Sequence, residues 1–526
     1  MVDPIGSTVT LVGYGPAAGV AELADARDLG SRGGNPVQVR FLSPALIPGR
    51  MTVDSPLRPQ SGMSQTPENP IADDWTPEVW RDLPTAQQPD YPDADRLRDT
   101  VASLRSLPPL TTSWEIEKLK SQLAEAARGD RFLLQGGDCA ERFDECASES
   151  IAARLKILLQ MSLVLAHGGR RRVIRVGRFA GQYAKPRSTS MERRGDVELP
   201  SYRGDIVNGP RFDPANRIPD PARLLQAHGR SAMTLNFIRS LVDGGFADLH
   251  HPEYWDLDFV RHSPLAVEYQ RMVESIGEGL RFMESLAGVR VQDLSRVDFF
   301  TSHEALLLEY ETAITRRVPH REGWWNLSTH LPWIGLRTAD PDGGHVAYMA
   351  GIRNPVAVKI GPGIEPSKVL ELAEILDPDQ EPGRLTLIHR FGRDGVDEGL
   401  PAVIEAVRDA GREPLWVCDP MHGNTRTVTP TSGSIAGTAV KTRSFDDILH
   451  ELERSFEIHE ACGTRLGGVH FELTGENVTE CVGGARGLAD ADLGHAYRSQ
   501  VDPRLNYEQA LEMAMLIARR MRDDTA

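Results

Sequence analysis

The stretch RFLLQGGDC, residues 131–139, joins a short apolar run to two glycines, a carboxylate and a cysteine. Similar short apolar and β-branched runs recur along the chain with helical patterns between them, which predicts parallel βα units. There are eight such runs, at residues 131–139, 171–179, 297–304, 325–335, 354–362, 384–392, 413–420 and 467–475. Because eight parallel strands can close on themselves, we predict an α/β fold of the (β/α)8, or TIM barrel, class.

The first residues of the chain differ from the rest in composition. Residues 1–62 are rich in Gly, Pro and Arg and show no sustained helical or strand periodicity. We interpret them either as a disordered tail or as sequence upstream of the true start, with Met51 and Met63 as alternative starts. In neither case do we assign them a function.

The remaining chain divides into an N-terminal extension and the barrel. Residues 63–130 are predicted to form an arm followed by a helix, which starts at a capping box made by Thr112 and Glu115. Residues 131–526 are predicted to form the barrel, with extra helices inserted after its second strand, around residues 210–296.

Composition narrows the class of protein. The 526 residues are 40% hydrophobic and 25% charged, with a formal net charge of −16. This acidic balance argues against a nucleic-acid or anionic-membrane partner. We see no signal peptide and no apolar run of about 20 residues. Five scattered cysteines do not make a disulfide framework. We therefore predict a reduced, cytoplasmic protein.

Polar side chains gather where the predicted strands end. In a barrel of this class the active site lies at the carboxyl ends of the strands, so these groups are expected to share one mouth. This placement predicts an enzyme. The residues are Cys139, Arg178, His303, Glu304, Arg337, Lys359, Arg390, Asp419, His422 and Glu472.

Cations are frequent among these groups although the protein is acidic. Guanidinium groups bind carboxylates and phosphates in a bidentate way, and lysine adds a point charge. Either each cation pairs with a surface carboxylate, or together they bind a small substrate with several anionic groups; we favour the second for the set. The cations are Arg178, Lys185, Arg187, Arg337, Lys359 and Arg390.

A second group combines one thiol, one imidazole and two carboxylates: Cys139, His422, Glu472 and Asp502. This mixed donor set suits Mn²⁺, Co²⁺, Fe²⁺ or Zn²⁺ better than Mg²⁺, which prefers oxygen. No close spacing of ligands marks the site. From the residues alone, Cys139 could equally be a small buried hydrophobe and His422 an ordinary core histidine.

Longer motifs resemble a known family. From residue 75 to residue 520, the chain resembles type II 3-deoxy-D-arabino-heptulosonate 7-phosphate (DAHP) synthases, with all motifs in the family's order. The resemblance implies a TIM barrel that condenses phosphoenolpyruvate (PEP) with erythrose 4-phosphate, the first step of the shikimate pathway. The motifs are LLQGGDCAERF, RFAGQYAKPRS, SYRGDIVNG, SHEALLLEYE, GRLTLIHRFG, CDPMHGNT, KTRSF, GGVHFELTGENVTEC and DPRLNYEQALE.

The resemblance also implies roles for individual residues. It assigns a divalent metal, Mn²⁺ or Co²⁺ with Zn²⁺ and Fe²⁺ as alternatives, to Cys139, His422, Glu472 and Asp502. PEP binding falls to Arg178, Arg337, Lys359 and Arg390, and erythrose 4-phosphate binding to Lys185, Arg187, Ser188 and Lys441. Direct participation in the chemistry is expected of Cys139, His422, Lys359 and Glu304, of which Lys359 and Glu304 are candidates for proton transfer. A homodimer or homotetramer is expected, with chorismate mutase as a possible partner.

Three departures from the family pattern qualify this assignment. Leu336 stands where the family usually carries an acidic residue, and Val501 stands where redox-sensitive members have a cysteine. Residues 426–440 form a longer Ser-, Thr- and Gly-rich loop, either a lid or a tolerated insertion. These departures support two alternatives: a copy serving secondary metabolism, or an amino-DAHP synthase that uses an imino or amino form of erythrose 4-phosphate. A hypothesis of another class is a non-catalytic regulatory partner, against which the intact metal ligands and PEP cations argue.

Overall fold

The computed structural model describes residues 75–244, 266–272, 274–275, 278 and 297–523. The described residues belong to one compact unit, Glu68–Ala526. The predicted tail at residues 1–62 lies outside the described residues, as do residues 245–265 and 279–296 of the predicted insertion.

The described residues form fourteen strands. In chain order they are β1 (Arg131–Gly137), β2 (Arg172–Arg178), β3 (Met191–Arg194), β4 (Val197–Pro200), β5 (Phe300–Glu304), β6 (Thr315–Arg317), β7 (Trp324–Asn326), β8 (Leu331–Ile334), β9 (Val356–Ile360), β10 (Leu385–His389), β11 (Leu415–Cys418), β12 (Thr425–Val428), β13 (Val440–Arg443) and β14 (Leu466–Glu472).

Eight of these strands close a parallel barrel in the order β1-β14-β11-β10-β9-β8-β5-β2. The predicted (β/α)8 class is confirmed, and every predicted run overlaps one barrel strand. The fourth predicted run, residues 325–335, is longer than its barrel strand. Residues 324–326 form β7, which pairs antiparallel with β6 outside the barrel, and the barrel strand β8 begins only at Leu331.

Helices surround the barrel. In chain order they are α1 (Ala94–Ser106), α2 (Ser113–Ala127), α3 (Ser148–Gly169), α4 (Pro214–Arg217), α5 (Ala222–Asp243), α6 (Leu308–Ile314), α7 (Gly344–Gly351), α8 (Pro366–Leu376), α9 (Val396–Asp409), α10 (Phe445–Ala461) and α11 (Tyr507–Asp523). The described part of the segment after β2 contains a β3–β4 hairpin, which the sequence did not predict, and then α4, α5 and helical residues at 266–272, within the range where extra helices are expected.

Helix α2 packs against the barrel interior at the end where the strands begin. The predicted capping box is present: the Thr112 hydroxyl accepts from the Glu115 backbone N–H, and the Glu115 carboxylate accepts from the Thr112 N–H. Leu119 and Leu123 then join the apolar cluster that fills the barrel. This apolar packing leaves the opposite mouth, where the strands end, for polar groups.

The arm before α1 is anchored to the barrel's outer layer. The Trp80 indole N–H donates to the Thr312 hydroxyl at 2.9 Å, and the Trp75 indole N–H donates to the Ala347 carbonyl at 2.9 Å. Burying these large rings fixes the arm against α6 and α7.

Among the described residues, α3 is the one helix long and apolar enough to cross a membrane. Two thirds of its most apolar window is buried inside the protein, where α3 packs against α11, β1 and β2. Its apolar composition is that of a helix in the barrel's outer layer, which is buried on several sides.

Candidate active site

A cavity of about 200 Å³ opens at the carboxyl ends of the barrel strands. All the residues predicted to bind substrate, metal or protons line it, except Glu472, which is fully buried beside them. The convergence predicted from strand ends is therefore observed for these residues, whereas His303 and Asp419, which also follow strand ends, do not line the cavity. The side chains come from at least seven different segments of the chain, so only the closed barrel brings them together.

Three potential metal donors form a compact cluster. One donor atom from each of Cys139, Glu472 and Asp502 lies within 4.8 Å of the other two. Cys139 reaches this place because β1 ends in two glycines. A Cβ on Gly137, whose φ is +148°, would lie 2.6 Å from the Phe179 ring. Only glycine lets the chain pass so close to β2 and turn Cys139 inward.

The fourth predicted ligand, His422, adjoins this cluster. Its Nε2 lies 2.9 Å from Glu472 Oε1, while its Nδ1 lies 2.7 Å from Asp419 Oδ2. Burial lowers the pKa of His422, which favours the neutral ring, although Asp419 and Glu472 oppose this. Whichever ring nitrogen carries the single proton, a neutral ring leaves the other nitrogen bare opposite a carboxylate oxygen. Two acceptors this close are satisfied by a cation between them, and a carboxylate–histidine pair is the usual support of a metal ligand. The residues therefore fit a divalent metal.

Protein cations surround the same donors. Lys185 Nζ lies 2.6 Å from Cys139 Sγ and 2.5 Å from Asp502 Oδ2. Lys441 Nζ lies 2.7 Å from Asp502 Oδ1. Burial alone would raise the pKa values of Glu472 and Asp502. Neighbouring cations reverse this and hold both values well below the ordinary range, so both carboxylates are ionised.

The Cys139 thiol behaves differently. Burial raises its pKa strongly, the Glu472 charge raises it further, and Lys185 only partly compensates. A thiol in this setting becomes a thiolate when a cation binds it.

The residues expected to bind PEP line the same cavity and adjoin the metal donors, since Arg178 Nη2 lies 3.2 Å from Glu472 Oε1. The Lys359 ammonium lies 4.5 Å from the centre of the Trp333 ring, and the Arg178 guanidinium lies 5.6 Å from it. Both cations thus lie within cation–π distance of one indole ring. Arg337 donates to the Ser188 hydroxyl at 3.0 Å, and Arg390 donates to the His422 carbonyl.

Lys359 is held by a buried ion pair. Its Nζ lies 2.6 Å from Asp419 Oδ2. Burial lowers the pKa of Lys359 to about 8, although Asp419 works in the opposite direction. A lysine with this pKa can both bind an anion and exchange a proton near neutral pH.

Glu304 ends β5 and faces the cavity. Burial raises its pKa, against the effect of nearby Lys359 and Lys185. Its Oε1 has no hydrogen-bond partner among the described residues. The preceding residue, His303, is part of another network, because successive strand residues face opposite ways: its Nε2 lies 2.8 Å from Glu311 Oε1.

The residues expected to bind the erythrose 4-phosphate phosphate lie at the rim. The Arg187 backbone is held by Gln87 of the arm, whose amide both accepts from the Arg187 N–H and donates to the Arg187 carbonyl. Lys185 and Lys441, assigned to the same substrate, contact the metal donors directly. The two predicted sites are therefore contiguous.

The long loop at 426–440 forms the hairpin of β12 and β13. Arg426 pairs with Asp490 at 2.6 Å, and the Ser434 N–H donates to the Gly494 carbonyl at 3.1 Å. These contacts dock the hairpin on the segment before α11, and β13 carries Lys441 to the cavity rim. Leu336 also lines the cavity, next to Arg337.

Sequence reasoning missed several residues of this site. Asp419 was noticed at a strand end but not recognised as the partner of both Lys359 and His422. Trp333 was not selected, because an aromatic residue in a strand is ordinary core. Arg443, whose guanidinium lies 2.8 Å from Glu472 Oε2, stands in KTRSF, and that motif pointed only to Lys441. The clustering of charges near one mouth was the signal that could have identified Asp419 and Arg443.

Comparisons with known proteins agree with this geometry. The class-II DAHP synthetase family matches residues 75–518. The chain is 46% identical over 446 residues to a phospho-2-dehydro-3-deoxyheptonate aldolase of Streptomyces coelicolor, covering 85% of this chain and 97% of the relative. It is also 46% identical to a Neurospora crassa protein of that name, covering 86% and 96%.

A third relative, the phospho-2-dehydro-3-deoxyheptonate aldolase AroG of Mycolicibacterium smegmatis, is 46% identical over 84% of this chain and 93% of its own length. A solved structure of such an aldolase from Francisella tularensis aligns with a TM-score of 0.43 and 14% identity, over 81% of this chain and 97% of its own, too weakly to carry an argument. The family match and the three relatives show that the chain is an enzyme of the class-II DAHP synthetase family.

Proposed function

We propose that this enzyme catalyses the metal-dependent condensation of PEP, erythrose 4-phosphate and water to DAHP and inorganic phosphate. One observation carries the proposal: a buried sulfur, nitrogen and oxygen donor set adjoins two groups of cations in one cavity. Both substrates are small and carry several negative charges, which matches the cations. The names of the curated relatives support the same reaction.

The cations bind and orient PEP. Arg178, Arg337, Lys359 and Arg390 would hold its carboxylate and phosphate, with the Trp333 ring within cation–π distance of Arg178 and Lys359. Held in this way, the methylene carbon of PEP faces the aldehyde of the second substrate. Carbon–carbon bond formation leaves positive character on the enol carbon, water adds there, and phosphate leaves. The same cations compensate the developing negative charge.

Two residues can transfer protons during this reaction. The new alkoxide needs a proton and the attacking water must lose one, so the reaction has use for both an acid and a base. Lys359, with a pKa of about 8, and Glu304, whose pKa burial raises, both line the cavity. We assign proton transfer to this pair.

The metal would be held by Cys139, His422, Glu472 and Asp502. When bound, it supplies Lewis-acid polarisation of the aldehyde carbonyl. The thiolate and imidazole in the set favour Mn²⁺, Co²⁺, Fe²⁺ or Zn²⁺ over Mg²⁺. Asp419, through His422 Nδ1, fixes the orientation of the imidazole.

A turnover assay tests the proposal. Chelator-treated full-length protein is mixed with both substrates, Mn²⁺ or Co²⁺ is added back, and PEP loss is followed together with product mass. Metal-restored formation of DAHP is expected. PEP binding in calorimetry without DAHP formation would overturn the proposed aldehyde substrate, and neither turnover nor PEP binding would leave the non-catalytic regulatory role.

Leu336 supports a second candidate function. In the cavity wall beside Arg337, the apolar Leu336 replaces the acidic residue that is usual in the family. The wall at this position therefore offers a polar substrate no carboxylate. This supports an amino-DAHP synthase that accepts an imino or amino analogue of erythrose 4-phosphate, and a role in secondary metabolism. Competition between erythrose 4-phosphate and its imino or amino analogue, read by product mass, separates the candidates.

Family resemblance also supports a cytoplasmic dimer or tetramer, with chorismate mutase as a possible partner. Sedimentation of the purified chain, alone and with a chorismate mutase from the same genome, tests both parts. A monomer that does not bind the mutase would refute them.

A further inference from the structure

A buried ion pair lies directly behind the proposed metal ligands. Arg504 Nη1 lies 2.7 Å from Asp138 Oδ1, with the two side chains 8% and 1% exposed. Asp138 immediately precedes Cys139, and Arg504 follows Asp502 by two residues. The pair therefore joins the two chain segments that carry these ligands, which are 363 residues apart in sequence.

Each end of the pair is fixed by a further contact. On one side, Asp138 Oδ2 lies 2.5 Å from Arg154 Nε of α3. On the other, the Arg504 guanidinium donates to both oxygens of Glu480, at 3.0 and 2.9 Å, and its backbone N–H donates to Glu480 at 2.9 Å. Both partners are thus held by more than the bond between them, which makes the link rigid.

The backbone of the Arg504 segment is fixed as well. The Leu505 N–H donates to the Glu472 carbonyl at 3.0 Å, and the Thr474 N–H donates to the Leu505 carbonyl at 3.0 Å. This segment therefore runs alongside the end of β14, which carries the third donor, Glu472. The Arg504–Asp138 pair then spans from this segment to the end of β1.

The distance between the Cys139 and Asp502 donor atoms can change only a little if both are to bind one metal ion. Cys139 Sγ and Asp502 Oδ2 are 3.5 Å apart. A zinc-like cation binds a thiolate at about 2.3 Å and a carboxylate oxygen at about 2.0–2.2 Å, so two such donors of one ion can be at most roughly 4.5 Å apart. A drift of about 1 Å between the segments would detach one donor. Buried ion pairs are a weak source of net stability, so a positioning role better explains this one.

We propose that Asp138 and Arg504 are positioning residues that set the Cys139–Asp502 separation and thereby the metal affinity. Neither lines the substrate cavity. The inference rests on the proposed metal site. Residues that hold a metal ligand in place typically contribute 10–100-fold in metal affinity, and we expect the same range for this pair.

The test compares two Arg→Lys variants of the full-length chain. Arg504→Lys retains the charge but loses the guanidinium fork to Glu480 and Asp138. Arg217→Lys is the matched control, since Arg217 is also buried and pairs with Glu192 at 2.7 Å in the insertion. Its guanidinium also donates to the Pro200, Pro210 and Arg211 carbonyls, which lie in the insertion as well. Asp138→Asn, which keeps the shape of the side chain, is the second test variant if Arg504→Lys does not fold.

Free Mn²⁺ is titrated by electron paramagnetic resonance against each chelator-treated protein, with PEP affinity measured separately. We expect Arg504→Lys and Asp138→Asn to weaken Mn²⁺ binding 10–100-fold, to leave PEP affinity within about threefold, and to regain most of kcat at saturating Mn²⁺. Arg217→Lys should lower Tm without changing Mn²⁺ affinity. In the double variant Asp138→Asn/Arg504→Lys, the two losses should not add.

The outcomes separate this inference from the proposed function. If the unmodified protein does not bind Mn²⁺, the metal site itself is wrong and the inference falls with it. If the unmodified protein binds Mn²⁺ and the folded variants bind it within twofold of the same affinity, the metal site stands and the positioning role is refuted. Equal weakening by Arg217→Lys would also refute it, because the effect would then reflect general destabilisation.

Discussion

Replacement of Asp419 by Asn is the perturbation with the most specific expected result. Asp419 is fully buried and contacts two different functional groups, Lys359 at 2.6 Å and His422 at 2.7 Å. The asparagine keeps the shape of the side chain but removes its negative charge. Both contacts should weaken together, for separate physical reasons.

The effect on Lys359 can be estimated from the geometry. A unit charge a few ångströms away is worth about 4 kcal/mol at an effective dielectric constant near 20, and about 1.4 kcal/mol shifts a pKa by one unit. Burial has already lowered the pKa of Lys359 to about 8, and Asp419 is the main group that opposes this. Without that charge the pKa falls further, by at least about one unit even after generous screening. Lys359 would then be largely neutral at pH 7.5 and would bind the PEP anion poorly.

The assay is a pH profile of kcat/KM for PEP. In the unmodified enzyme, activity should decline as pH rises through about 8, since Lys359 then loses its proton. In Asp419→Asn this decline should move to lower pH by at least about one unit, and metal affinity should fall 10–100-fold because His422 loses its support. Asp205→Asn is the matched control, since Asp205 is buried but binds the Tyr202 hydroxyl and the Phe143 N–H away from the cavity. An Asp419→Asn profile with the same alkaline decline as the unmodified enzyme would refute the assigned role of the Asp419–Lys359 pair.

Three further predictions concern single residues. Cys139→Ser should weaken binding of Zn²⁺ and Co²⁺ more than that of Mn²⁺, because it removes the soft ligand; equal weakening in parallel titrations would contradict a thiolate ligand. Gly204→Ala should lower Tm and weaken metal binding, because Gly204 has φ +99° and a Cβ there would lie 2.0 Å from the Tyr183 carbonyl and displace the chain that leads to Lys185. A crystal structure of the variant with Lys185 in its original position would contradict this. Thr112→Ala should lower the free energy of unfolding by about 1 kcal/mol through the lost α2 cap, with kcat unchanged; denaturant unfolding and the turnover assay check the two parts.

The barrel could be predicted from the sequence because each strand is a short apolar run bounded by turn residues and followed by a helical pattern. Burial on both faces of a parallel sheet demands such runs, so the pattern carries the fold. The fourth run failed because β7 and β8 are both apolar and only four residues apart. Apolar patterning cannot distinguish a barrel strand from a buried hairpin strand, whereas pairing partners can.

The candidate site was predictable in part. Strand ends indicated which side chains would meet, and motif resemblance assigned their roles. Contacts between segments far apart in sequence could not be read in this way: the pairing of Arg504 with Asp138 spans 366 residues, and no local pattern marks it. The position of Lys185 among the metal donors, at 2.6 Å from Cys139 Sγ, likewise depends on how the loop after β2 folds across the mouth.

The proposed function requires that the donor cluster and the PEP cations form one metal-dependent site. Anomalous scattering at the manganese edge, from crystals soaked with Mn²⁺ and PEP, tests this most directly. We predict one strong peak in contact with Cys139, His422, Glu472 and Asp502, with PEP in the same cavity against Arg178 and Lys359. A manganese peak elsewhere, or PEP bound away from these cations, would contradict the account.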